Sequence, residues 1–442
     1  MSATELVAFV CCDLGAIVRG RSLPAYELGA RLDVGVGWTP ANHALTPLGE
    51  LAEPNPFGST GDLRLLADPD THVRVEGGPG GGGAAPGTFE LVLCDIVETD
   101  GQPWECCPRH FLREALAELE DELGVRVMAG FEHEFQLLSD APAPLSFSLD
   151  AQRQAEPFAG EVMGALAEAG VQPELFMPEY AAHQFEIPVE PALGIASADR
   201  SVVFREVVRE VARRRELHAS FTPLLDPAGA GNGVHIHLSL LDEDGRPVLY
   251  DATRPASLSE LGERFAAGIL LHARALTALT APSPLSSLRL RPHRWSAGAV
   301  CLAVQNREAL LRIPPLVPLS GAEHASQLRL EYRGADAAAN PYLALGALVR
   351  AGLDGVRSEL PAPPILDRDP ARLDEAEAEL YGVGGLPVSL EDSLQALARD
   401  ETVRGWLEPT LYDAYMCVKR SELETVAPLE LSEVCRRYAA VY

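Results

Sequence analysis

Four short stretches of the sequence alternate apolar residues with acidic, histidine or arginine residues. They span residues 131–137, 184–189, 234–240 and 328–333. A period of two is typical of β-strands, in which residues i and i+2 point to the same side. Each stretch therefore combines one apolar face with one face of metal-ligand-type side chains. Carboxylates and imidazoles that face one another across a sheet are unfavourable unless a cation lies between them, so the pattern predicts a metal-binding face on a β-sheet.

The polar faces consist almost wholly of Glu, His and Arg, whereas solvent-exposed faces usually mix Thr, Ser, Lys and Gln. For one stretch alone a half-exposed strand is the simpler interpretation, but four together favour a site. Oxygen-rich ligand sets with an occasional imidazole suit Mg²⁺ or Mn²⁺. Neighbouring arginines indicate phosphate or carboxylate ligands. The polar faces carry Glu132, Glu134, Glu186, His235, His237, Ser239, Arg329, Glu331 and Arg333.

Length and charge exclude several classes of protein. A chain of 442 residues can bury a large core and predicts two domains. The formal charge of −28 argues against a nucleic-acid partner or an anionic membrane surface. No apolar run is long enough to span a bilayer, and the first residues lack the order of a signal peptide. The eight cysteines form no C-x-x-C pair, so we expect reduced thiols in a cytoplasmic protein.

Phosphate binding must rely on arginines and metals if the protein uses ATP. The sequence has no Walker-type phosphate loop. Its single lysine, Lys419, lies in the segment Cys-Val-Lys-Arg-Ser-Glu, which predicts a charged helix face.

The order of the elements indicates an α+β fold rather than a regular βαβ succession. Strands are predicted at residues 7–12, 33–38, 72–75 and 89–96. Helices are predicted at residues 200–214, 258–279 and 389–398, and another begins at Asn340-Pro341. A boundary near Pro103 separates a small strand-rich part from a larger part built on an antiparallel sheet flanked by helices.

The motifs, taken in order and spacing, resemble those of the glutamine synthetase family over nearly the whole chain. They lie at residues 129–135 (a Glu-x-Glu strand), 179–187, 231–239 (a glycine-rich His-x-His element), 306–314 and 331–343. The resemblance implies a small β-grasp-like N-terminal domain over residues 1–103 and a catalytic domain over residues 104–442. It also implies a ring-shaped homo-oligomer of two stacked rings, in which the N-terminal domain of one subunit completes the site of its neighbour.

The same resemblance implies two or three divalent cations, Mg²⁺ or Mn²⁺, with ATP as co-substrate and glutamate as the acid. The implied ligands of one cation are Glu134, Glu179 and Glu186, and those of another are Glu132, His235 and Glu331. Glu179 is the weakest candidate because it precedes a loop, and His133, on the apolar face, is expected to be a core residue. The implied nucleotide contacts are His237, Ser239, Arg307 and Arg312, of which Arg307 is also catalytic. The implied substrate contacts are Gly231, Arg289 and Arg333.

The sequence departs from the family where the nitrogen donor binds. The acidic segment that binds ammonium in the family is missing, and residues 37–42 are Gly-Trp-Thr-Pro-Ala-Asn. Trp295 stands where ammonia-using members carry a proton-abstracting Glu, although some members carry Trp there too. Losing a carboxylate removes both the attraction for ammonium and a proton acceptor. We therefore hypothesise a γ-glutamylamide ligase that favours an organic primary amine over ammonia.

Three other interpretations remain open. The chain could be an ordinary glutamine synthetase that uses a different residue to deprotonate ammonium. It could be a catalytically silent oligomeric relative with a regulatory or structural role, although a silent protein need not retain six metal-ligand-type residues. A metal-dependent hydrolase on the same Glu/His face is disfavoured by the neighbouring arginines, which indicate a triphosphate.

Overall fold

The computed structural model describes residues 4–77, 87–294 and 296–442. Within these ranges no helix is long and apolar enough to cross a lipid bilayer. The described strands are β1 Leu6–Cys12, β2 Val18–Pro24, β3 Val36–Trp38, β4 Leu63–Ala67, β5 Val73–Val75, β6 Phe89–Glu98, β7 Arg126–Leu137, β8 Met177–Pro178, β9 Gln184–Ile187, β10 Ala192–Leu193, β11 Ala219–Ser220, β12 Val234–Leu241, β13 Ala299–Val304, β14 Ala309–Ile313, β15 Leu330–Ala335 and β16 Ile365–Leu366.

The α-helices form the layers around these strands, and short 3₁₀ turns connect some of them. The described α-helices are α1 Leu28–Arg31, α2 Pro108–Leu123, α3 Leu149–Gln154, α4 Phe158–Glu168, α5 Ile195–Arg214, α6 Glu260–Leu271, α7 Ala273–Thr280, α8 Ser286–Arg289, α9 His324–Gln327, α10 Pro341–Arg357, α11 Glu375–Leu380, α12 Leu390–Arg399, α13 Glu401–Gly405, α14 Pro409–Val426 and α15 Leu431–Val441.

The strands form two sheets, and the predicted α+β fold is confirmed. The smaller sheet has the order β2-β1-β6-β4-β3, with β5 also beside β6, and β1 and β6 run parallel. The larger has the order β16-β13-β14-β15-β12-β7-β9-β8, with β10 and β11 also paired to β7. It is mostly antiparallel, as predicted, but β13 runs parallel to β14 and to β16. All four alternating stretches form or overlap strands of this larger sheet.

The helix α10 is buried along most of its length and packs against α2, α5, α6 and α7. Its N-terminus is capped by the Asn340 side chain, which accepts hydrogen bonds from the backbone N–H groups of residues 342 and 343. Close packing with α6 requires glycine, because a Cβ at Gly268 would lie 2.0 Å from the carbonyl oxygen of Ala351. The buried α10 thus fixes the helical layer behind the larger sheet.

The prediction of one continuous helix over residues 258–279 is wrong. The helix ends at Leu271, and α7 begins at Ala273 with His272 between them. The His272 ring is hydrogen-bonded on both sides, with Nδ1 2.7 Å from Asp400 Oδ2 and Nε2 3.0 Å from Asp354 Oδ2. These two carboxylates are distant in sequence, so the apolar pattern of the segment could not reveal the break.

The prediction that Lys419 lies on a charged helix face is also wrong. Its side chain is fully buried within α14, and Nζ lies 2.9 Å from Glu422 Oε2 in the same helix. The Tyr438 hydroxyl donates to the other Glu422 oxygen at 2.5 Å. The ion pair is therefore satisfied inside the C-terminal helices.

The two sheets are joined by polar contacts centred on the buried Arg109 of α2. Its guanidinium donates to Asp199 of α5 at 3.0 and 2.9 Å, to Asp68 at 2.7 Å and to Asp95 at 3.1 Å. Asp68 follows β4 and Asp95 lies in β6, so one arginine links the smaller sheet to the helices behind the larger one.

Candidate active site

The register of the larger sheet aligns acidic side chains on neighbouring strands. In the pairing of β7 with β9, Glu134 lies directly opposite Glu186. In the pairing of β7 with β12, Glu132 lies directly opposite His235. Residues directly opposite each other in an antiparallel pair have Cβ atoms about 5 Å apart. Three strands therefore bring two carboxylate–ligand pairs onto one face, as the alternating pattern predicted.

The next strands extend this row. His237 of β12 pairs with Glu331 of β15, and Glu331 pairs with Arg312 of β14. The Arg312 guanidinium donates to Glu331 Oε2 at 2.6 Å, and Arg333 donates to the other oxygen of the same carboxylate. The buried Glu331 thus lies between two arginines and a histidine, at the side of the site where the sequence predicted phosphate contacts.

Two groups of side chains each place one ligand-type atom per residue within 4.8 Å of one another. One group is Glu134, Glu186 and His235, and the other is Glu132, His237 and Glu331. The resemblance had implied His235 in the second set and His237 on the nucleotide. It had also implied Glu179 in the first set, and among the described residues Glu179 belongs to neither group. The structure thus brings five of the six implied ligands, plus His237, into two compact clusters.

Glu179 nevertheless lies close to the first cluster. It follows β8, and its backbone N–H donates to the carbonyl oxygen of Gln184 at 2.8 Å. Burial and the negative charge of Glu134 raise the pKa of Glu179 to about 7. Burial, followed by the charges of Glu132 and Glu134, raises the pKa of Glu186 well above its ordinary value. The raised pKa values show that the ionised forms of these carboxylates are destabilised, and a divalent cation would neutralise their charge. The oxygen-rich first cluster therefore fits Mg²⁺ or Mn²⁺.

The carboxylates of the second cluster lie beside histidine and arginine side chains. Glu132 lies 2.9 Å from His237 Nε2 and 3.4 Å from His235 Nδ1. Burial opposes the ionisation of Glu132, but the charges and hydrogen bonds of these histidines hold its pKa well below its ordinary value. Burial, together with the charge of Arg333, lowers the pKa of His235. A lowered pKa favours the neutral imidazole of His235, which is the form that binds metals.

The predicted substrate residues lie beside the glycine-rich loop before β12. Arg289 is buried, and its Nη2 donates to the carbonyl oxygens of Gly334 at 3.1 Å and Ala335 at 2.8 Å. The glycine-rich loop passes directly over the side chain of Arg289. A Cβ at Gly231 would lie 2.8 Å from Arg289 Cγ, and one at Gly233 would lie 2.9 Å from Arg289 Nη1. Glycine is required here so that the backbone can approach the guanidinium.

The remaining predicted arginines lie at the edge of the same face. Arg333 is buried, and its Nε donates to the carbonyl oxygen of Arg307 at 3.0 Å. Arg307 itself is exposed on the turn between β13 and β14, and Arg312 is half-buried on β14. Arg333 therefore connects the second cluster with the turn that carries Arg307.

A cavity of about 520 Å³ opens beside the second cluster. Its walls include Glu132, His237, Ser239, Val189 and Arg329. Arg329 Nε donates to His237 Nδ1 at 3.0 Å, and His237 Nε2 lies 2.9 Å from Glu132 Oε1. Arg329 was recognised on the polar face of its stretch but was not assigned to the site. A pocket with one apolar wall and cationic groups suits a nucleotide-sized ligand.

The expectation for His133 is confirmed. Its ring lies on the opposite face of β7, is 2 % exposed and stacks on Phe204 with ring centroids 5.0 Å apart. Its Nε2 is 2.8 Å from the Ser201 hydroxyl. Trp295, in contrast, lies outside the described residues.

Sequence reasoning missed three buried amides beside the first cluster, Gln136, Gln184 and Asn232. Gln136 follows Glu134 by two residues, and Gln184 precedes Glu186 by two, so both lie on the metal-ligand face of their strands. That spacing was the available signal, but a glutamine on a strand is usually taken as a solvent-facing residue.

Comparison with known proteins gives two family-model matches that together span most of the chain. Residues 1–104 match the model described as glutamine synthetase N-terminal domain. Residues 105–434 match the model described as glutamine synthetase, catalytic domain.

Individual relatives and structures agree with these matches. The γ-glutamylpolyamine synthetase GlnA3 of Streptomyces coelicolor is 36% identical over 99% of this chain and 93% of that protein. A glutamine synthetase of Halobacterium salinarum is 33% identical over 82% of this chain and 79% of that protein. A crystal structure described as a novel glutamine synthase homolog has a TM-score of 0.92 and 46% identity, covering 100% of this chain and 99% of that one. A structure of GmaS without ligand has a TM-score of 0.81 and 26% identity, covering 98% and 96%.

Proposed function

Because the chain belongs to the glutamine synthetase family and is therefore an ATP-dependent ligase, we propose that it joins the γ-carboxylate of glutamate to an organic primary amine. The observation that carries the proposal is an intact ligand face combined with the absence of a carboxylate from residues 37–44. A relative that is 36% identical is named for γ-glutamylpolyamine synthesis, and this supports an amine as the nucleophile.

In the proposed reaction, a γ-carboxylate oxygen attacks the γ-phosphorus of ATP and ADP leaves, which produces γ-glutamyl phosphate. The amine nitrogen then attacks the acyl carbon, loses a proton and displaces phosphate. Bound Mg²⁺ or Mn²⁺ would neutralise the charge shared by ATP and the acid. The residues proposed to hold these cations are Glu132, Glu134, Glu179, Glu186, His235 and Glu331.

The protein's own cations have complementary roles in this proposal. Arg307 and Arg312 stabilise charge on the transferring phosphoryl group, because guanidinium groups donate several hydrogen bonds to its oxygens. Arg289 and Arg333 bind the carboxylates of glutamate, and the glycine-rich loop at Gly231 contacts the acid beside them. His237 and Ser239 line the cavity proposed for ATP. His237 is 2.9 Å from Glu132, so it also belongs with the second cation cluster.

The segment that replaces the ammonium-binding loop has an apolar and aromatic character. Trp38 at the end of β3 and His43 in the following turn are both buried, and the His43 ring packs edge-on against Trp104 at 5.1 Å. Residues 37–44 contain no carboxylate. If this domain completes a neighbouring subunit's site in a stacked-ring assembly, the amine would meet a segment without a carboxylate.

The domain division at residue 103 and the cellular location are part of the same proposal. The cysteines of the chain are free thiols, and all but Cys417 are buried. Unpaired thiols support a reducing compartment such as the cytoplasm.

The second candidate is an ordinary glutamine synthetase. It is favoured by the relative of Halobacterium salinarum, which carries that name at 33% identity. Both candidates share ATP, glutamate and metals, and they differ only in the nucleophile.

The deciding experiment measures phosphate release with ATP, glutamate and Mg²⁺ against a panel of nucleophiles. The panel contains ammonium, ethanolamine, a monoalkylamine and a polyamine at equal concentration. We expect at least one organic amine to give a higher kcat/KM than ammonium. A higher value for ammonium than for every amine would identify a glutamine synthetase, and no turnover with any nucleophile would identify a silent relative.

A further inference from the structure

Three buried side-chain amides lie next to the first carboxylate cluster. Gln136 of β7 and Gln184 of β9 are directly opposite each other, two residues along from the Glu134–Glu186 pair. Asn232 lies in the glycine-rich loop that precedes β12. The three residues are 4 %, 4 % and 1 % exposed. Burying an amide is unfavourable unless its hydrogen-bonding groups are satisfied, so the partners of these side chains define their role.

The three amides form a closed hydrogen-bonded circuit. The N–H of Ala181 donates to Gln184 Oε1 at 2.8 Å, and Gln184 Nε2 donates to Asn232 Oδ1 at 2.9 Å. Asn232 Nδ2 donates to Gln136 Oε1 at 3.3 Å, and Gln136 Nε2 donates to the carbonyl oxygen of Ala182 at 2.9 Å. The circuit therefore begins and ends on two adjacent backbone groups of one loop.

The orientation of each amide is determined by its partners. A backbone N–H can only donate and a backbone carbonyl can only accept, so the two ends of the circuit fix the direction of every bond between them. Rotating any one amide by 180° would place two donors or two acceptors against each other. The circuit consequently has a single low-energy arrangement. That arrangement forms only when Ala181 and Ala182, on which the circuit begins and ends, keep their positions.

Branches of the circuit reach the candidate active site. Gln184 Nε2 also lies 2.9 Å from the carbonyl oxygen of Gly231 and 3.3 Å from Glu134 Oε2. Glu134 Oε2 accepts a further hydrogen bond, at 2.7 Å, from the N–H of Gly233. One side chain thus contacts a candidate substrate residue and a candidate metal ligand, while its amide oxygen holds the loop at Ala181.

The loop held by the circuit joins Glu179 to β9. Its last residue, His183, has φ +52, a left-handed conformation that is uncommon for residues other than glycine. The carbonyl oxygen of His183 accepts a hydrogen bond from the N–H of Leu137 at 3.0 Å. An unfavourable backbone conformation persists only where the surrounding contacts enforce it. The amide circuit supplies such contacts.

We propose that Gln136, Gln184 and Asn232 are positioning residues that hold residues 180–183 against the glycine-rich loop. In this way they fix the Glu179 carboxylate relative to Glu134 and the carbonyl group of Gly231. The substrate part of this proposal rests on the proposed ligase function, and the cation part does not. Because Gln184 holds Ala181 and Gln136 holds Ala182, loss of either glutamine amide loosens the loop, and loss of both releases it.

The test compares Gln136→Met, Gln184→Met and the double variant, since methionine keeps the length of the side chain without its hydrogen bonds. Gln395→Met is the matched control, because Gln395 is exposed on α12 and donates to Glu391 of the same helix. Mn²⁺ binding is measured by electron paramagnetic resonance without substrates, and KM is measured separately for glutamate and ATP. Urea unfolding confirms that each variant is folded.

We expect each single variant to weaken Mn²⁺ binding by about 10- to 100-fold, as does loss of other residues that orient metal ligands. The KM for glutamate should rise and that for ATP should change less. The double variant should bind Mn²⁺ more weakly than either single variant, because it removes both side-chain hydrogen bonds that hold the loop. The control should match the wild type.

Wild-type Mn²⁺ affinity in both folded single variants would overturn the proposal, as would an Mn²⁺ affinity of the double variant equal to that of the control. If the methionine variants do not fold, Gln136→Asn and Gln184→Asn provide a comparison without an added charge, because the shorter side chain withdraws the amide from its partners. Hydrogen exchange of the wild-type protein gives a further check, since an unprotected N–H at Ala181 would show that the circuit is not formed. Mn²⁺ binding without ligase activity toward any nucleophile would refute the proposed function but not this inference.

Discussion

The glycine-rich loop provides a sharp test of the proposed glutamate site. A Cβ at Gly231 would lie 2.1 Å from the carbonyl oxygen of Pro223 and 2.8 Å from Cγ of Arg289. Ordinary van der Waals contacts begin at 3.4 Å, so Gly231→Ala cannot be accommodated without moving the backbone or Arg289. The same displacement would lengthen the 2.9 Å hydrogen bond that the Gly231 carbonyl group accepts from Gln184.

The size of the effect follows from the size of the clash. A displacement of about 1 Å at a substrate contact lowers the rate by roughly 10²-fold. That factor corresponds to about 2.7 kcal/mol in transition-state stabilisation. We therefore expect kcat/KM for glutamate to fall by about 100-fold in Gly231→Ala, with a much smaller change in the KM for ATP, because the proposed nucleotide cavity is lined by other residues. Phosphate release under varied glutamate and varied ATP measures both quantities.

Gly229→Ala is the matched control in the same loop. A Cβ there would meet its nearest atoms, in Asp226, at 3.4 Å, so it fits without displacement. We expect near wild-type kinetics for this variant. Unchanged kcat/KM for glutamate in a folded Gly231→Ala protein would refute the assignment of this loop to the acid, as would equal losses in the two variants.

Three other predictions follow from the metal-ligand face and from the buried ion pairs. Glu186→Gln should weaken Mn²⁺ binding at least tenfold by calorimetric titration. Burial and the neighbouring carboxylates destabilise the ionised form of Glu186, a bound cation offsets this, and the substitution removes the charge that the cation would bind. Unchanged affinity would exclude Glu186 as a ligand. Arg109→Met should lower the free energy of urea unfolding by about 3–5 kcal/mol, because it leaves the buried Asp199 unpaired; a change below about 1 kcal/mol would mean that the pair is already hydrated. Burial disfavours the ionised form of Asp68, but the hydrogen bond and the charge of Arg109 hold the pKa of Asp68 below its ordinary value of 3.8. The ionised carboxylate therefore stabilises the folded protein above pH 3.8. This stabilisation is lost as the pH falls through the lower pKa of the folded state. Urea unfolding between pH 6 and 3 should therefore lose less stability with falling pH in Arg109→Met than in the wild type, and parallel profiles would contradict this origin.

The positions of the site strands could be predicted because a period-two pattern is a local property of the sequence. Glu132 and Glu134 point to the same side of β7 whatever the rest of the chain does. The partners across the sheet could not be predicted in this way, since the register of β7 with β9 and β12 depends on long-range packing. This is why His235 lies in a different group from the one that the resemblance implied, and why His237, implied as a nucleotide contact, lies in the second group.

Side chains that bridge distant elements were missed for the same physical reason. His272, at the break between α6 and α7, is hydrogen-bonded to Asp354 and Asp400, which are distant in sequence, whereas the local pattern is that of a continuous apolar helix. The circuit through Gln136 and Asn232 likewise exists only when β7, β9 and the glycine-rich loop are assembled. The residue types were visible in the sequence, but their hydrogen-bond partners were not.

The burial of Lys419 has a practical consequence for identifying the amine nucleophile. Its ammonium group is 0 % exposed and paired with Glu422, so no lysine side chain of the folded protein is accessible to acylating reagents. A fluorogenic reagent for primary amines should therefore label the small molecules of the reaction mixture, including glutamate and the product, with little background from enzyme side chains. After chromatographic separation of the labelled compounds, loss of the peak of the nucleophile and growth of a new product peak would report the reaction without a coupled assay.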